Sequence, residues 1–306
     1  MKRVIITGGT GLIGGALASE LARSGYEVIL LSRNPNKARD LGPGIRVERW
    51  DARTAEGWGA LADGATAIVN LAGESIGIPP LPWTAARKQR IRQTRLDAGQ
   101  AVVEAVKQAR EKPRVVVQAS GVGYYGLHGD EVITEEKAAG KDFLAAVAVD
   151  WEASTARVQA MGVRHAIIRT GLLFSRQGGV LQYLALPFRF FAGGPLGSGK
   201  QWQPWIHMAD EIGAICFLIE NEKARGPFNL AAPNAVTNGA LARVLGRVLR
   251  RPAFFPTPAF AMKLVLGELA ELLLLGGQRA VPHKLTQLGY QFNFADLEAA
   301  LRDLLT

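Results

Sequence analysis

Closely spaced glycines near the N-terminus could bind phosphate groups. Gly9, Gly11 and Gly14 satisfy the pattern Gly-x-Gly-x-x-Gly, between an apolar stretch and a helical pattern. Glycines at such positions permit a tight turn, let the backbone approach a pyrophosphate, and allow the helix to pack closely on the strand. The helix N-terminus then directs free N–H groups and its positive dipole end at the phosphates. The residues predicted to form this dinucleotide site are Gly8, Thr10, Gly11, Leu12, Ile13 and Gly14.

The end of the second apolar stretch indicates which dinucleotide is bound. Enzymes that use NAD usually carry a carboxylate there, about 20 residues after the glycines, for the ribose 2′-hydroxyl. This sequence instead has Ser32 and Arg33, and Ser32 follows Gly14 by 18 positions. A guanidinium can bind a 2′-phosphate through two hydrogen bonds, and a serine hydroxyl can donate another. The alternative is that Arg33 is only a solvated charge, but the matching offset favours NADP(H).

Residues after the next strand-like segments are expected to complete the cofactor pocket. Asp51 follows the third segment and could accept a hydrogen bond from the adenine amine. Leu71, Ala72 and Gly73 follow the fourth segment, where small residues let the chain pass beside the nicotinamide ribose. Arg95 lies on the following helical stretch, from which it could reach a cofactor phosphate or ribose.

Strand-like and helical segments alternate through the first two-thirds of the chain. Strands that are almost continuously apolar, alternating with helices, predict a parallel sheet covered on both faces. We therefore expect a Rossmann-type, doubly wound α/β fold that binds ligands at the carboxyl ends of its strands. The predicted strands are Arg3–Thr7, Glu27–Leu31, Ile45–Arg49, Ala67–Asn70, Val115–Ala119 and Arg164–Arg169, and the helical stretches lie near Leu12–Arg23, Ala55–Leu61, Ala85–Ala109 and Phe143–Met161.

The pattern changes after about Leu172, where glycine-rich loops flank an apolar stretch. A helix over His207–Glu220 and a short strand over Pro227–Leu230 are expected to return to the sheet, and the tail from Pro252 reads as helical. We predict a Rossmann domain over residues 1–175, to which 207–232 returns. Residues 176–206 and 233–306 then form a smaller, mainly helical C-terminal lobe that contacts the substrate.

Pro258–Leu275 is the most apolar part of that lobe. Lys263, Glu268 and Glu271 interrupt it, so its uncharged stretches are too short to span a bilayer. We expect a buried or subunit-facing helix here, and a subunit-facing helix would make the protein a homodimer.

Three groups of residues together resemble the extended short-chain dehydrogenase/reductases. They are the glycine motif Thr7–Gly14, the segment Asn70–Gly73, and Trp205–Asp210. More narrowly, the chain resembles an atypical epimerase-family branch with a C-terminal domain of unassigned function. The segments that suggest this branch are Leu71–Glu74, Ser120–Tyr125, Trp151-Glu152, Gly193–Gly199 and Gly277–Pro282. The resemblance implies NADP(H) and a small polar substrate, such as a sugar nucleotide or another carbonyl or hydroxyl compound.

The sequence departs from this family at the residues that move protons. Extended short-chain dehydrogenases use Tyr-x-x-x-Lys on the helix after the fifth strand, where the lysine lowers the tyrosine pKa. With Trp151-Glu152 in the place of the usual Ala-Glu, those two positions fall on Leu144 and Ala148. The sequence therefore leaves two hypotheses open: an enzyme that uses other groups, or an NADP(H)-binding sensor or scaffold that acts through protein partners.

The candidate catalytic residues are then Ser120, Tyr125 and His207. Ser120 follows the fifth strand, close to the usual catalytic serine or threonine, and a nearby phenol such as Tyr125 could act as an acid. The alternative for Tyr125 is a ring packed under the loop. His207 titrates near neutral pH, but capping of the helix that it opens is the favoured alternative.

Composition excludes several other classes of protein. The net charge is +9, but the basic residues are scattered without an RNA-binding motif, which argues against a nucleic-acid partner. Four histidines and one cysteine at wide spacing predict no metal site. The single cysteine excludes an intrachain disulfide, and the glycines interrupt the first apolar run too early for an export signal, so we expect a cytoplasmic protein.

Overall fold

The computed structural model describes residues 2–35 and 41–306; Met1 and residues 36–40 lie outside the described part. The strands are β1 (Arg3–Thr7), β2 (Glu27–Ser32), β3 (Ile45–Arg49), β4 (Ala67–Asn70), β5 (Val115–Gly121), β6 (Val132–Ile133), β7 (Arg164–Thr170), β8 (Leu172–Phe174), β9 (Trp202–Gln203), β10 (Trp205–His207), β11 (Gly226–Leu230), β12 (Val236–Thr237) and β13 (Arg279–Ala280). The α-helices are α1 (Leu12–Arg23), α2 (Ala85–Gln108), α3 (Phe143–Ser154), α4 (Val180–Arg189), α5 (Met208–Glu220), α6 (Asn238–Leu249), α7 (Ala259–Leu266), α8 (His283–Gln287) and α9 (Leu297–Leu305).

A seven-stranded parallel sheet forms the centre of the molecule, with the strand order β3-β2-β1-β4-β5-β7-β11. The order reverses between β1 and β4, so the chain leaves these two neighbouring strands in opposite directions and opens a crevice at their carboxyl ends. This confirms the predicted Rossmann-type fold. The glycine turn follows β1, and Leu71–Gly73 follows β4, so both line that crevice.

Alternate residues along the strands build two cores, one on each face of the sheet. Val4 and Ile6 pack with the apolar residues of α1 and α5, whereas Ile5 packs with Ala98 and Val102 of α2. Because side chains point alternately to the two faces of a strand, near-continuous apolar strands need a helical layer on each side.

The C-terminal lobe has a core of its own. Phe174, Leu181 and Trp205 pack with the apolar face of α6 and with α9, of which Leu301 is fully buried. Short strand pairs join this lobe to the sheet domain, since β8 pairs with β10 and β6 with β13, whereas the pair of β9 with β12 lies within the lobe. The lobe is therefore assembled from chain segments that alternate with those of the sheet domain.

Two helical predictions need correction. Residues 55–61 form turns and a short 3₁₀ helix, Gly59–Ala62, because Gly57 takes a φ of +79°, outside the helical region. Around Phe143–Met161, the α-helix ends at Ser154 and a 3₁₀ helix, Ala156–Met161, follows. Thr155 turns inward there and bonds Gln118, which ends the regular helix.

The expectation of one buried or subunit-facing helix over Pro258–Leu275 was wrong in one respect, because the segment is not a single continuous helix. Helix α7 ends at Leu266, before Gly267, whose φ is +57°, and a π-helix follows over Ala270–Leu275. Met262 and Ala270 are buried, but Phe260 and Leu264 on α7 are exposed. Across the described ranges, 2–35 and 41–306, none of the helices combines the length and the apolarity that a bilayer span requires.

Candidate functional site

The glycine turn packs tightly against its surroundings, and Gly8 and Gly14 meet backbone atoms there. A Cβ atom on Gly14 would lie 2.6 Å from the carbonyl oxygen of Gly8, and one on Gly8 would lie 3.0 Å from the backbone of Leu71. Gly8 also takes a φ of +65°, a conformation that favours glycine. These contacts bring α1 against β1 and set the turn beside the end of β4.

Gly11 differs from these two because it is exposed at the start of α1. It is the N-cap residue, and no side chain caps the helix there. The first N–H groups of α1 therefore remain directed into the crevice, where a phosphate would accept from them. The turn thus fits the pyrophosphate of a dinucleotide.

At the end of β2, Ser32 and Arg33 face different surroundings. Ser32 is buried and its Oγ accepts a hydrogen bond from the Asn34 backbone at 3.2 Å, whereas Arg33 is exposed. An exposed guanidinium at this strand end is free to swing onto a 2′-phosphate, while Ser32 shapes the turn that presents it.

Asp51 stabilises the turn after β3. Its carboxylate accepts hydrogen bonds from the backbone of Arg53 at 2.8 Å and of Thr54 at 2.9 Å. Partial burial alone would raise the pKa of Asp51, but these hydrogen bonds outweigh it and lower the pKa. The side chain is exposed and ionised, so it can still accept a hydrogen bond from an adenine amine.

A buried polar network shapes the loop after β4. Thr7 Oγ1 donates to Asn70 Oδ1 at 2.6 Å and accepts from the backbone N–H of Leu71 and Ala72. Asn70 Nδ2 donates in turn to Gln118 Oε1 at 2.8 Å. The network therefore fixes Leu71, Ala72 and Gly73 relative to β1 and β5. Sequence reasoning missed it, although a threonine and an asparagine at the ends of otherwise apolar strands were a visible signal.

Arg95 lies under this loop. Its guanidinium stacks on Trp151 at 4.4 Å from the ring centroid, and Nη1 donates to the carbonyls of Ile91 at 2.7 Å and Glu74 at 3.0 Å. Burial lowers the pKa of Arg95 to about 10, and the charge of Glu74 opposes that shift. The Nε atom is buried without a partner among the described residues. Arg95 thus packs beneath Gly73, and the hydrogen bonds of its Nη1 atom are made to carbonyl groups of the protein.

Ser120 is connected to a buried ion pair. Its Oγ donates to Glu152 Oε1 at 2.7 Å, and Arg169 binds both oxygens of Glu152 at 2.8 Å each. Burial alone would lower the pKa of Arg169, but the hydrogen bonds and charge of Glu152 outweigh it and raise the pKa. Sequence reasoning missed the pairing of Glu152 with Arg169, although an arginine within an apolar strand was a signal.

Tyr125 is held in the same network, and its contacts do not support a role as an acid. It is 1% exposed, its hydroxyl donates to Asn229 Oδ1 at 2.6 Å, and it accepts from Arg169 at 3.0 Å. Burial raises the pKa of Tyr125 to about 12. These contacts agree with the alternative interpretation of Tyr125, in which its ring packs under the loop. Tyr124 stacks its ring on the Arg169 guanidinium at 3.4 Å.

His207 is turned away from this network. It caps α5 through Nδ1, which accepts from the Ala209 backbone at 3.0 Å, and its ring stacks on Phe294. Burial lowers the pKa of His207, against the opposing charge of Asp303. The structure brings Ser120 and Tyr125 together but places His207 against the C-terminal lobe, in the capping role.

The α3 face toward Ser120 carries Leu144, Ala148 and Glu152 at helical spacing. Leu144 lies against Gly123, where a Cβ atom would be 3.2 Å from that of Leu144, and both Leu144 and Ala148 are buried. Only Glu152 on this face is ionisable. The two positions expected to hold tyrosine and lysine therefore present apolar atoms to the end of β5.

A sequence model described as "NAD dependent epimerase/dehydratase family" matches residues 4–231. This chain belongs to that family. A second model, "Domain of unknown function (DUF1731)", matches residues 257–304 within the C-terminal lobe. Epimerase family protein SH2119 of Staphylococcus haemolyticus is 37% identical over all of this chain and 99% of that protein.

Solved structures agree with this assignment and with a nicotinamide dinucleotide as cofactor. The human epimerase family protein SDR39U1, solved with NADPH, has a TM-score of 0.88 and 34% identity, covering 99% of this chain and 98% of that one. A nucleoside-diphosphate sugar epimerase from Corynebacterium glutamicum has a TM-score of 0.78 and 34% identity, covering 99% of this chain and 58% of that one. The UDP-glucuronic acid 4-epimerase of Bacillus cereus, at 15% identity and a TM-score of 0.77, shares the fold.

Proposed function

We propose that this family member is an NADP(H)-dependent oxidoreductase or epimerase-like enzyme that acts without a Tyr-x-x-x-Lys pair. Its substrate is a small polar carbonyl or hydroxyl compound, and sugar nucleotides are the first class to test. The observation that carries the proposal is the turn in which Gly8 and Gly14 admit no side chain while α1 stays uncapped. The NADPH in the human relative supports the choice of cofactor.

Each part of the dinucleotide has residues suited to hold it. The uncapped start of α1, from Gly11 to Ile13, would bind the pyrophosphate. Arg33 would bind the 2′-phosphate, and Asp51 the adenine amine. Leu71–Gly73 would pass beside the nicotinamide ribose, with Arg95 supporting them.

When bound, the cofactor supplies hydride transfer. Ser120 is the polar side chain of the network suited to hold a substrate oxygen. Because its proton is directed to Glu152, its oxygen is left to accept a hydrogen bond from a substrate hydroxyl. Arg169 fixes Glu152 through two bonds, so Ser120 is held in one orientation. Leu144 and Ala148 exclude water from the end of β5.

The cofactor assignment is tested by titrating the protein with NADPH and NADH. We expect Arg33→Ala to weaken NADPH binding about tenfold or more, because a charge-assisted hydrogen bond contributes about 1.5–3 kcal/mol, and to leave NADH binding nearly unchanged. Arg23→Ala, at the far end of α1, is the matched control. Equal losses for both cofactors would remove Arg33 from the 2′-phosphate site.

Catalysis is tested by NADPH turnover against a panel of sugar nucleotides and simple carbonyl compounds. With an active substrate, Ser120→Ala is expected to lower kcat by about tenfold to a hundredfold, since the substrate oxygen loses its orienting partner. Ser19→Ala, on the surface of α1, should keep full activity. Tight NADPH binding with no turnover on any substrate would contradict the proposal that the protein is an enzyme. It would favour the alternative, an NADP(H)-binding sensor or scaffold.

A further inference from the structure

The C-terminal lobe carries a large apolar surface that the proposed function does not use. Most of the exposed large apolar side chains in the described residues lie on α4 and the two residues after it, on residues 254–255 and on α7, including every exposed phenylalanine. Phe190 and Phe260 are each 75% exposed, and Leu264 is 86% exposed. We call this surface the apolar face; it consists of Tyr183, Leu186, Phe190, Phe191, Phe254, Phe255, Phe260, Leu264 and Val265.

Backbone hydrogen bonds hold the three segments of the apolar face side by side. Phe255 N donates to Gly193 O at 3.1 Å, and Thr257 N donates to Pro195 O at 2.9 Å. These bonds align the chain that leaves α4 with the chain that enters α7. The rings of Phe254 and Phe255 lie 4.5 Å apart between centroids. The exposed apolar residues at the end of α4, at 254–255 and at the start of α7 therefore lie on neighbouring stretches of chain.

Helix α7 presents apolar residues on the side that faces solvent. Phe260 and Leu264 are one helical turn apart and exposed, while Met262 faces inward and is buried. A surface helix ordinarily puts polar residues on its outer side. An exposed apolar patch with a polar rim is typical of a surface that contacts a partner or a membrane.

Arginines at the end of α6 border the apolar face. Arg243, Arg247, Arg250 and Arg251 line a cavity of about 390 Å³, and the Arg251 guanidinium lies 4.4 Å from the centre of the Phe191 ring. Arg247 pairs with Glu298. No salt bridge within residues 2–35 and 41–306 involves the other three. Positive charge is therefore available next to the exposed aromatic rings.

We propose that the apolar face is a docking surface for a lipid bilayer that contains anionic phospholipid. Phenylalanine and leucine side chains that protrude this far can insert among the upper acyl chains, while neighbouring arginines bind lipid phosphates. Charge complementarity distinguishes this occupant from a second copy of the chain. In a two-fold pairing, the apolar face would pack against the same face of the other copy, whose side chains carry no carboxylate to pair with these arginines.

The proposal is tested by cosedimentation of the purified full chain with vesicles of phosphatidylcholine, with and without about 30% phosphatidylglycerol. We expect binding only to the anionic vesicles, with loss at high salt because exposed charges are screened. The variant with Phe190→Ser, Phe260→Ser and Leu264→Ser should bind at least about tenfold less, as should Arg250→Gln with Arg251→Gln. Leu81→Ser with Leu127→Ser changes two exposed residues outside the apolar face and should bind like the wild type.

Three results would overturn the proposal. The first is no binding to the anionic vesicles, and the second is binding that the triple variant leaves unchanged. The third is a concentration-dependent dimer in analytical ultracentrifugation that the triple variant abolishes, without vesicle binding, because a second copy would then cover the apolar face. Thermal unfolding and NADPH titration of each variant show that the substitutions leave the fold and the cofactor site intact.

Discussion

Glu211 lies in the first turn of α5 with its side chain fully buried. Thr170 Oγ1 donates to its Oε1 at 2.7 Å, while Oε2 has no partner among the described residues. Burial raises the pKa of Glu211 from its ordinary value of 4.5 to about 8, and the Thr170 hydrogen bond only partly opposes the shift. The folded protein therefore keeps a proton on this carboxyl at neutral pH.

This proton makes stability depend on pH. Between pH 4.5 and about 8 the unfolded chain has released it and the folded chain has not, so the free energy of unfolding falls as pH rises, by at most about 1.4 kcal/mol per pH unit. Glu211→Gln cannot ionise and should lose this dependence. Its Tm should be near that of the wild type at pH 5 and above it at pH 8.5. A Tm difference between Glu211→Gln and the wild type that is the same at both pH values would contradict the assignment of the pH dependence to Glu211. An equal change in Tm from Glu56→Gln, at an exposed position, would contradict it as well.

Single residues of the site were predictable where a short sequence pattern carries the chemistry. The glycines and Ser32-Arg33 are local in sequence, and their spacing alone predicts them as cofactor-binding residues. The polar partners are not local: Ser120 bonds a residue 32 positions away, and Tyr125 bonds one 104 positions away. A single sequence does not reveal which polar residues the fold brings together, so the hydrogen-bond partners of Tyr125 and His207 were not predictable.

At the scale of elements, the contact of α1 with β1 depends on which glycine is replaced. Gly14→Ala would put a Cβ atom 2.6 Å from the backbone of Gly8, whereas Gly15→Ala meets only one atom, at 3.9 Å. We expect Gly14→Ala to cost about 1–3 kcal/mol through overpacking and to weaken NADPH binding at least tenfold.

Gly15→Ala is the matched control on the same helix. It should raise stability by about 0.5–1 kcal/mol, because alanine is the better helix former and its Cβ atom finds space. Denaturant unfolding and NADPH titration of the two variants measure both effects. Similar behaviour of the two variants would show that the turn tolerates a side chain.

Element boundaries were predictable where apolar periodicity ends at a turn. The six predicted strands of the first two-thirds are all present, and β2, β5 and β7 each extend beyond their predicted ends. The failures have local causes, namely the positive φ of Gly57 and the inward turn of Thr155. The exposed side of α7 was not predictable, because an apolar helix gives the same pattern whether protein covers it or not.

At the scale of the whole molecule, Asp210 joins the sheet domain to the C-terminal lobe. From α5 it accepts hydrogen bonds from the backbone N–H of Asn293 at 2.7 Å and of Phe294 at 2.9 Å. Asp210→Ala would leave these part-buried N–H groups without their acceptor, at a cost of about 1–3 kcal/mol. We expect one cooperative thermal transition at a lower Tm than in the wild type, because the sheet domain and the C-terminal lobe lose the same contact.

Asp303→Ala is the control for that variant, since Asp303 is on the same lobe but mostly exposed. Circular dichroism and tryptophan fluorescence should report the same transition for every variant. Two separate transitions in Asp210→Ala would instead support independent unfolding of the lobe. We propose that residues 1–175 and 207–232 form one domain. On this division, we expect that domain and the C-terminal lobe to unfold together.

Leu144 and Ala148 have an evolutionary consequence. Leu144 packs with Trp83, Ile91 and Leu269, so the position at which the sequence comparison expected a tyrosine joins α3 to the segment after α7. Tyrosine at 144 would put a phenol into this packed apolar cluster, and lysine at 148 would put an ammonium group at a buried position. Each substitution made alone would therefore lower stability before the two residues could act together. The packing of α3 is thus a barrier to gaining a Tyr-x-x-x-Lys pair by single steps.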